Sequence, residues 1–316
     1  MAERKSKPIK TIDELIDNIE KEKGIIIEDK EQAKEILKIL SYQRLMAYRN
    51  HFFYSGKYRE GTTFNHIYRL YQFDRDLKFL LIKPIESIEM MLRTMIAYNL
   101  GIKYGLHCYL ESSYFVEPKY HAEFIREIDE KLNKSIPAYK KHNLVKNHHQ
   151  NYDDELPIYK AIELVSFGQL SKFFKNLKDE DKTEFIKPFQ EKNRKIDINI
   201  FSNWLKTTTE VRNICAHHDI LWDKNFDIRE IRNPEWKNSI KKKENGKSIY
   251  SIFGYFLILK EVVFDKKVYS FFVKELTELL EKYKDIIDSD KLYFPKDWNN
   301  ILNLKEVNKC NQILPS

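Results

Sequence analysis

Apolar residues recur along most of this chain at intervals of three and four, and no stretch sustains a period of two. That spacing predicts helices and no sheet. Thr11 with Glu14 has the form of a capping box and opens a first helix. Glu28-Asp29 opens a second, with Ile36, Leu37 and Leu40 on one face. An aromatic-rich segment from Leu40 to Tyr48 follows, and Ser55-Gly56-Lys57 reads as a turn. Thr63 caps the longest predicted helix, Phe64 to Leu100, with Gly101 as its stop and a kink at Pro84.

Residues 134–154 read as the loosest internal stretch, basic through Lys140, Lys141 and Lys146 and carrying His148-His149. A solvated loop facing RNA phosphates suits it better than a metal site, because adjacent histidines rarely chelate together. Asp153-Asp154 caps a predicted helix over 155–177, in which Gly168 suggests close helix approach. A further helix spans about 198–218. Lys241, Lys242 and Lys243 with Asn245-Gly246 read as an exposed basic turn. Helices over 248–264 and 266–284 precede a tail with Phe294-Pro295 and Asp297-Trp298.

The helix over 198–218 holds the candidate chemistry. Phe201, Trp204, Leu205, Thr208, Val211 and Cys215 form its apolar stripe, and Arg212 falls on that stripe. Glu210, Asn213 and His217 share another face. Arg offers a permanent planar fork for phosphate oxygens. His exchanges protons near neutrality. Cleavage of RNA through its own 2'-hydroxyl needs those two functions and no metal ligand. Five residues turn a regular helix by about 140°, so Arg212 and His217 do not simply point together. Three resolutions stay open: a helix break near Ala216, an Arg side chain that wraps round, or a site completed by a second copy. The plain alternative is a helix end with a surface Arg and a dipole-stabilised His.

Composition fits this picture. The 316 residues include only 8 Gly, which favours helices with short connections. A net charge of +7 permits a nucleic-acid partner. Cys108, Cys215 and Cys310 are widely spaced, so neither a disulfide framework nor a zinc pattern follows. The polar N-terminus lacks a signal-peptide core, and the longest apolar run, Ile249–Leu259, is too short to span a bilayer. The expected compartment is the cytoplasm.

Several separated motifs add up to a resemblance. They are Leu45 with Tyr48; Leu70-Tyr71-Gln72-Phe73-Asp74-Arg75-Asp76-Leu77; and Ile85-Glu86-Ser87-Ile88-Glu89 with Leu92-Arg93. Then come Glu163 with Ser166-Phe167-Gly168; Arg212-Asn213 with Ala216-His217; and Phe294-Pro295 with Asp297-Trp298. In this order they resemble the AbiD/AbiF-like branch of the abortive-infection (Abi) proteins of bacterial phage defence, over roughly residues 30–300. That family is similar in turn to the HEPN superfamily of helical proteins, many of which are metal-independent RNA endonucleases.

The resemblance implies an all-α, HEPN-like bundle with additional N- and C-terminal helices: an extension over 1–30, one domain over 31–300, and a tail over 301–316. It implies Arg212, Asn213 and His217 as catalytic residues, with Glu210 and His218 as possible auxiliaries. His218 would satisfy a longer motif spacing. Arg93 and Tyr98 share the five-residue spacing but lack the His, so Arg93 reads as structural. One clear motif copy per chain implies a homodimer. The expected function is a phage-defence or toxin-type endoribonuclease with no cofactor and no metal. Lys140, Lys141, Lys146 and Lys241–Lys243 are its expected RNA contacts. The rival is a non-catalytic RNA-binding module acting with a small noncoding RNA. A structural interaction protein is the third reading.

Overall fold

The computed structural model describes residues 8–132, 143–151, 155–231, 234–240, 248–287 and 292–303. The fold is all-α. Among the described residues the strands are a single short hairpin, Phe53–Tyr54 with Lys57–Tyr58. Ser55 (φ 49°) and Gly56 (φ 83°) both lie in the left-handed region, as a tight two-residue hairpin turn requires. The chain divides into two compact units, 1–77 with 278–288, and 78–277 with 289–316.

In the first unit, α1 (Ile12–Asp17) opens with the Thr11/Glu14 capping box, both halves made. Next, α2 (Lys30–Ile39) is capped by the Asp29 carboxylate, which accepts from Gln32 N–H at 2.9 Å. A third helix, α3 (Tyr42–Met46), tightens into a 3-10 turn and leads to the hairpin. Thr63 caps α4 (Phe64–Tyr104): its hydroxyl accepts from His66 N–H, and His66 Nδ1 accepts from Thr63 N–H, each at 3.2 Å. Asp74 is fully buried and accepts from the Tyr48 hydroxyl at 2.7 Å. Asp76 gathers Arg75, Lys282 and Tyr283. Burial alone would raise the Asp76 carboxyl, but hydrogen bonds from Lys282, Tyr283 and Arg75 hold it below the usual range.

From Lys78 onward α4 belongs to the second unit. It runs through Gly101 and ends at Gly105 (φ 91°), not at the predicted stop. A Cβ at Gly101 would meet Ile158 Cγ2 at 3.3 Å, so Gly101 serves close packing and Gly105 the turn. Beyond it come α5 (Pro118–Leu132), α6 (Asn143–Asn151) and α7 (Ile158–Ala161). These are followed by α8 (Phe167–Asn176), α9 (Asp179–Lys192) and α10 (Ile198–His217). The unit continues with α11 (Pro234–Ser239), α12 (Ile252–Val262), α13 (Lys266–Lys282, belonging to the first unit from Glu278 on) and α14 (Trp298–Leu302).

The helix predicted over 155–177 is broken in two. Arg93, itself buried, donates to the carbonyls of Ile162 and Val165 and pairs with Glu89. The chain turns extended at Val165 (φ −91°, ψ 151°), beside this clamp. Ser166 then restarts the helix as the N-cap of α8, its hydroxyl accepting from Gln169 N–H. Gly168 lies in the first turn of α8 against α10, where an added Cβ would meet Thr209 Cγ2 at an ordinary 3.7 Å. Part of the stretch read as loose is helix α6, and its His148 is buried, with Nδ1 3.2 Å from Lys160 Nζ.

The core of this unit surrounds α10, which packs on α8, α9 and α12. Phe201 meets Phe174, Phe185 and Phe189, with ring centroids 4.5–5.8 Å apart. Trp204 stacks on Trp236 at 5.5 Å and donates its indole N–H to Arg229 O at 2.9 Å. Behind them α12 is buried along nearly its whole length.

Candidate functional site

Asp197 starts α10 by accepting from Ile200 N–H at 2.8 Å. Phe201, Trp204, Leu205, Thr208, Val211 and Cys215 are buried, as their spacing predicts. Thr207, Thr208 and Thr209 return their hydroxyls to the carbonyls four residues earlier, at 2.8–3.0 Å. Polar side chains thus enter the core already satisfied. Buried on one side and wet on the other, α10 is a rigid carrier for whatever its exposed face presents.

Helical geometry persists through Ala216 to His217, so no break brings Arg212 and His217 together. His218 closes the helix in the left-handed conformation (φ 58°, ψ 30°), and the His218 and Asp219 N–H groups both reach Ile214 O. A non-glycine residue there is strained, though His is among the types that adopt it. Lys78 helps to hold this exit. It is 5% exposed, and its ammonium donates to Asp219 O at 2.9 Å.

Arg212 is half-buried at the edge of the apolar stripe. Its Nη1 lies 3.4 Å from Asn213 Oδ1, so the guanidinium turns off the stripe toward the Asn213 side. Asn213 and His217 are both exposed and one helical turn apart on one face. The guanidinium thus turns from the stripe toward the side that carries Asn213 and His217. Glu210 pairs with Lys224 at 3.6 Å. Arg212, Asn213 and His217 lie in the last two turns of α10, and the Glu210–Lys224 pair lies further back along the helix.

Lys146 is exposed on α6. Lys140, Lys141, Lys241, Lys242 and Lys243 lie outside the described residues. Cys108 and Cys215 are buried free thiols, and burial pushes Cys108 up to about 11. Among the described residues, no three His, Cys, Asp or Glu side chains gather as metal ligands would. Among the same residues, no helix is long and apolar enough to cross a membrane. Sequence reasoning missed Lys78. It is the only Lys among the apolar positions Phe73, Leu77 and Leu81 of α4, but its partner is 141 residues away.

The model of the family described as Abi-like protein matches residues 35–223. That span includes Arg93, Lys78 and the whole of α10, and it ends six residues after His217. No curated protein and no solved structure gives a match to the chain.

Proposed function

The chain belongs to the Abi-like protein family of phage defence, and from that premise we propose that it is a metal-independent endoribonuclease. The observation that carries the reading is the end of α10. There Arg212 turns toward Asn213 on the face that carries exposed His217. His217 takes the proton of the ribose 2'-hydroxyl, whose oxygen attacks the adjacent phosphorus. The P–O5' bond breaks, and the leaving oxygen takes a proton from an imidazolium. The products are a 2',3'-cyclic phosphate and a 5'-hydroxyl. Arg212 holds the phosphate and stabilises the charge that develops on it. Asn213 orients either the phosphate or His217.

His217 is the better proton carrier on this geometry. It shares a face with Asn213, whereas His218 is the left-handed cap. Glu210, paired with Lys224, acts at most through that pair. Two imidazoles, one as base and one as acid, suit this reaction best. We assign the second to another copy of the chain across a two-fold axis. RNA is the substrate, the compartment is the cytoplasm, and a small noncoding RNA is a candidate partner.

Purified protein stripped of bound RNA should cut single-stranded RNA in EDTA, leaving cyclic-phosphate ends, and should run as a dimer in light scattering. Cleavage that stops in EDTA and returns with a divalent ion would sink the mechanism. Tight binding without any cutting would favour the non-catalytic RNA module.

A further inference from the structure

A cavity of about 430 Å³ opens beside the N-terminal half of α10, walled by α5, α8 and the segment around Arg229. Four cations line it, Lys172, Lys175, Lys206 and Arg229, against one carboxylate, Asp227. All five are exposed. Lys172 pairs with Glu123 at 3.2 Å, and Lys206 reaches Asp227 only at 4.0 Å. Lys175 and Arg229 have no ion-pair partner among the described residues. An adjoining cavity of about 520 Å³ shares Tyr120 and Lys175 but is balanced: Lys175, Lys178 and Lys182 face Glu117, Asp179 and Glu180. Of these two cavities, the groove along α10 is the one with an excess of positive charge.

That groove is aligned with the Arg-His end. Asn199, Asn203, Lys206, Glu210, Asn213 and His217 succeed one another at spacings of four and three. Such positions fall on one line along a helix. Asn199, Asn203 and Lys206 line the cavity. From Lys206 to His217 the helix rises about 16 Å. Asn203 also fixes the far wall, donating to Asp227 O at 2.8 Å and accepting from Arg229 N–H at 2.7 Å. The wall that carries Arg229 is thus held against α10. Tyr120 stands 40% exposed at the rim. An exposed ring beside a row of cations is what unpaired nucleotides need: a face for a base and charge for the backbone.

We propose that this groove holds single-stranded RNA, with its phosphates on Lys175, Lys206 and Arg229, a base on Tyr120, and the strand running along α10 to His217. The proposal rests on the ribonuclease reading and adds the path of the substrate, through residues other than Lys140, Lys141, Lys146 and Lys241–Lys243.

The test uses full-length protein carrying His217→Ala, so that bound RNA survives, and a fluorescent single-stranded RNA of mixed sequence. Combining Lys175→Ala, Lys206→Ala and Arg229→Ala should weaken binding and flatten its log-log salt dependence by about two, since each lost contact to a single strand removes about 0.7. Lys175→Ala alone, which breaks no ion pair, should remove about 0.7 by itself. Tyr120→Ala should weaken binding about tenfold with the slope retained. Lys178→Ala, in the balanced cavity, is the control and should change neither. If the parent binds RNA and the triple variant matches it in affinity and slope, the groove is wrong while the ribonuclease reading stands. A parent that neither binds nor, with His217 restored, cuts RNA overturns both.

Discussion

Arg93 and Arg212 sit in helices of the same unit, each five residues before a ring side chain, Tyr98 and His217. The fold treats them oppositely. Arg93 is buried, and its donors are committed to two main-chain carbonyls and Glu89. Arg212 has the Asn213 amide at the long distance of 3.4 Å and a half-open surface. A buried guanidinium must be fully partnered, because desolvation is costly. A partly solvated one keeps donors available for a ligand. Spacing alone does not separate a structural cation from a functional one; what each cation is already bonded to does.

The largest expected effect falls on the exposed member of the pair. His217→Ala should slow RNA cleavage by about 10²–10⁴, and Arg212→Ala by about 10²–10³. Both should leave urea stability within about 0.5 kcal/mol. A stability loss at Arg212 well above that would make it another Arg93 and break the contrast.

Arg93→Met should act on folding instead. Removing the cation leaves Glu89 and two inward carbonyls without their donor, at a cost of about 3–5 kcal/mol in urea unfolding. A loss under about 1 kcal/mol would show that the break between α7 and α8 does not depend on Arg93.

Lys78→Met tests the buried cation under the motif end. It keeps the apolar stem and removes the charged donor to Asp219 O, so a loss of about 1.5–3 kcal/mol is expected. An unchanged unfolding midpoint would show that the His218 cap holds unaided.

Tyr255 marks the small end of the scale. Its hydroxyl is buried beside Thr208 with no hydrogen bond of full geometry, only a weak contact with Thr208, and burial pushes it far above the ordinary phenol range. Thr208 already donates to Trp204 O at 2.8 Å. Because the Tyr255 hydroxyl is buried without a well-formed partner, Tyr255→Phe should leave stability within about 0.5 kcal/mol or raise it slightly. A clear loss in differential scanning calorimetry would reveal a hydrogen bond at that hydroxyl.

Local signals told the truth where a few neighbouring residues settle the outcome. The caps at Thr11, Asp29 and Thr63 stand where the sequence puts them, because a cap is a hydrogen bond across three residues. The buried stripe of α10 follows from 3.6-residue periodicity alone. The same rules failed over 155–177, where the helix is broken at a segment whose Ile162 and Val165 carbonyls are held by Arg93, about seventy residues away in sequence. Helix α9 went unread, although Asp179-Glu180-Asp181 is a good acidic first turn and Phe185, Ile186 and Phe189 are its buried face. Gly101 reads as a stop in the sequence because the approach of Ile158 is invisible in one dimension.

The sequence by itself determined an all-helical fold, the starts of α1, α2, α4, α10 and α13, and the face of α10 that carries Asn213 and His217, since these depend on spacing and short-range bonding. Only tertiary structure decided which cations remain open to a ligand. Burial took Arg93 and Lys78 into the frame. Packing of α10 against α8, and the Asn203 clamp on residues 227–229, left Lys175, Lys206 and Arg229 together in one groove. Residues distant in the chain meet only when the core beneath them forms, because long-range packing sets the position of every exposed face.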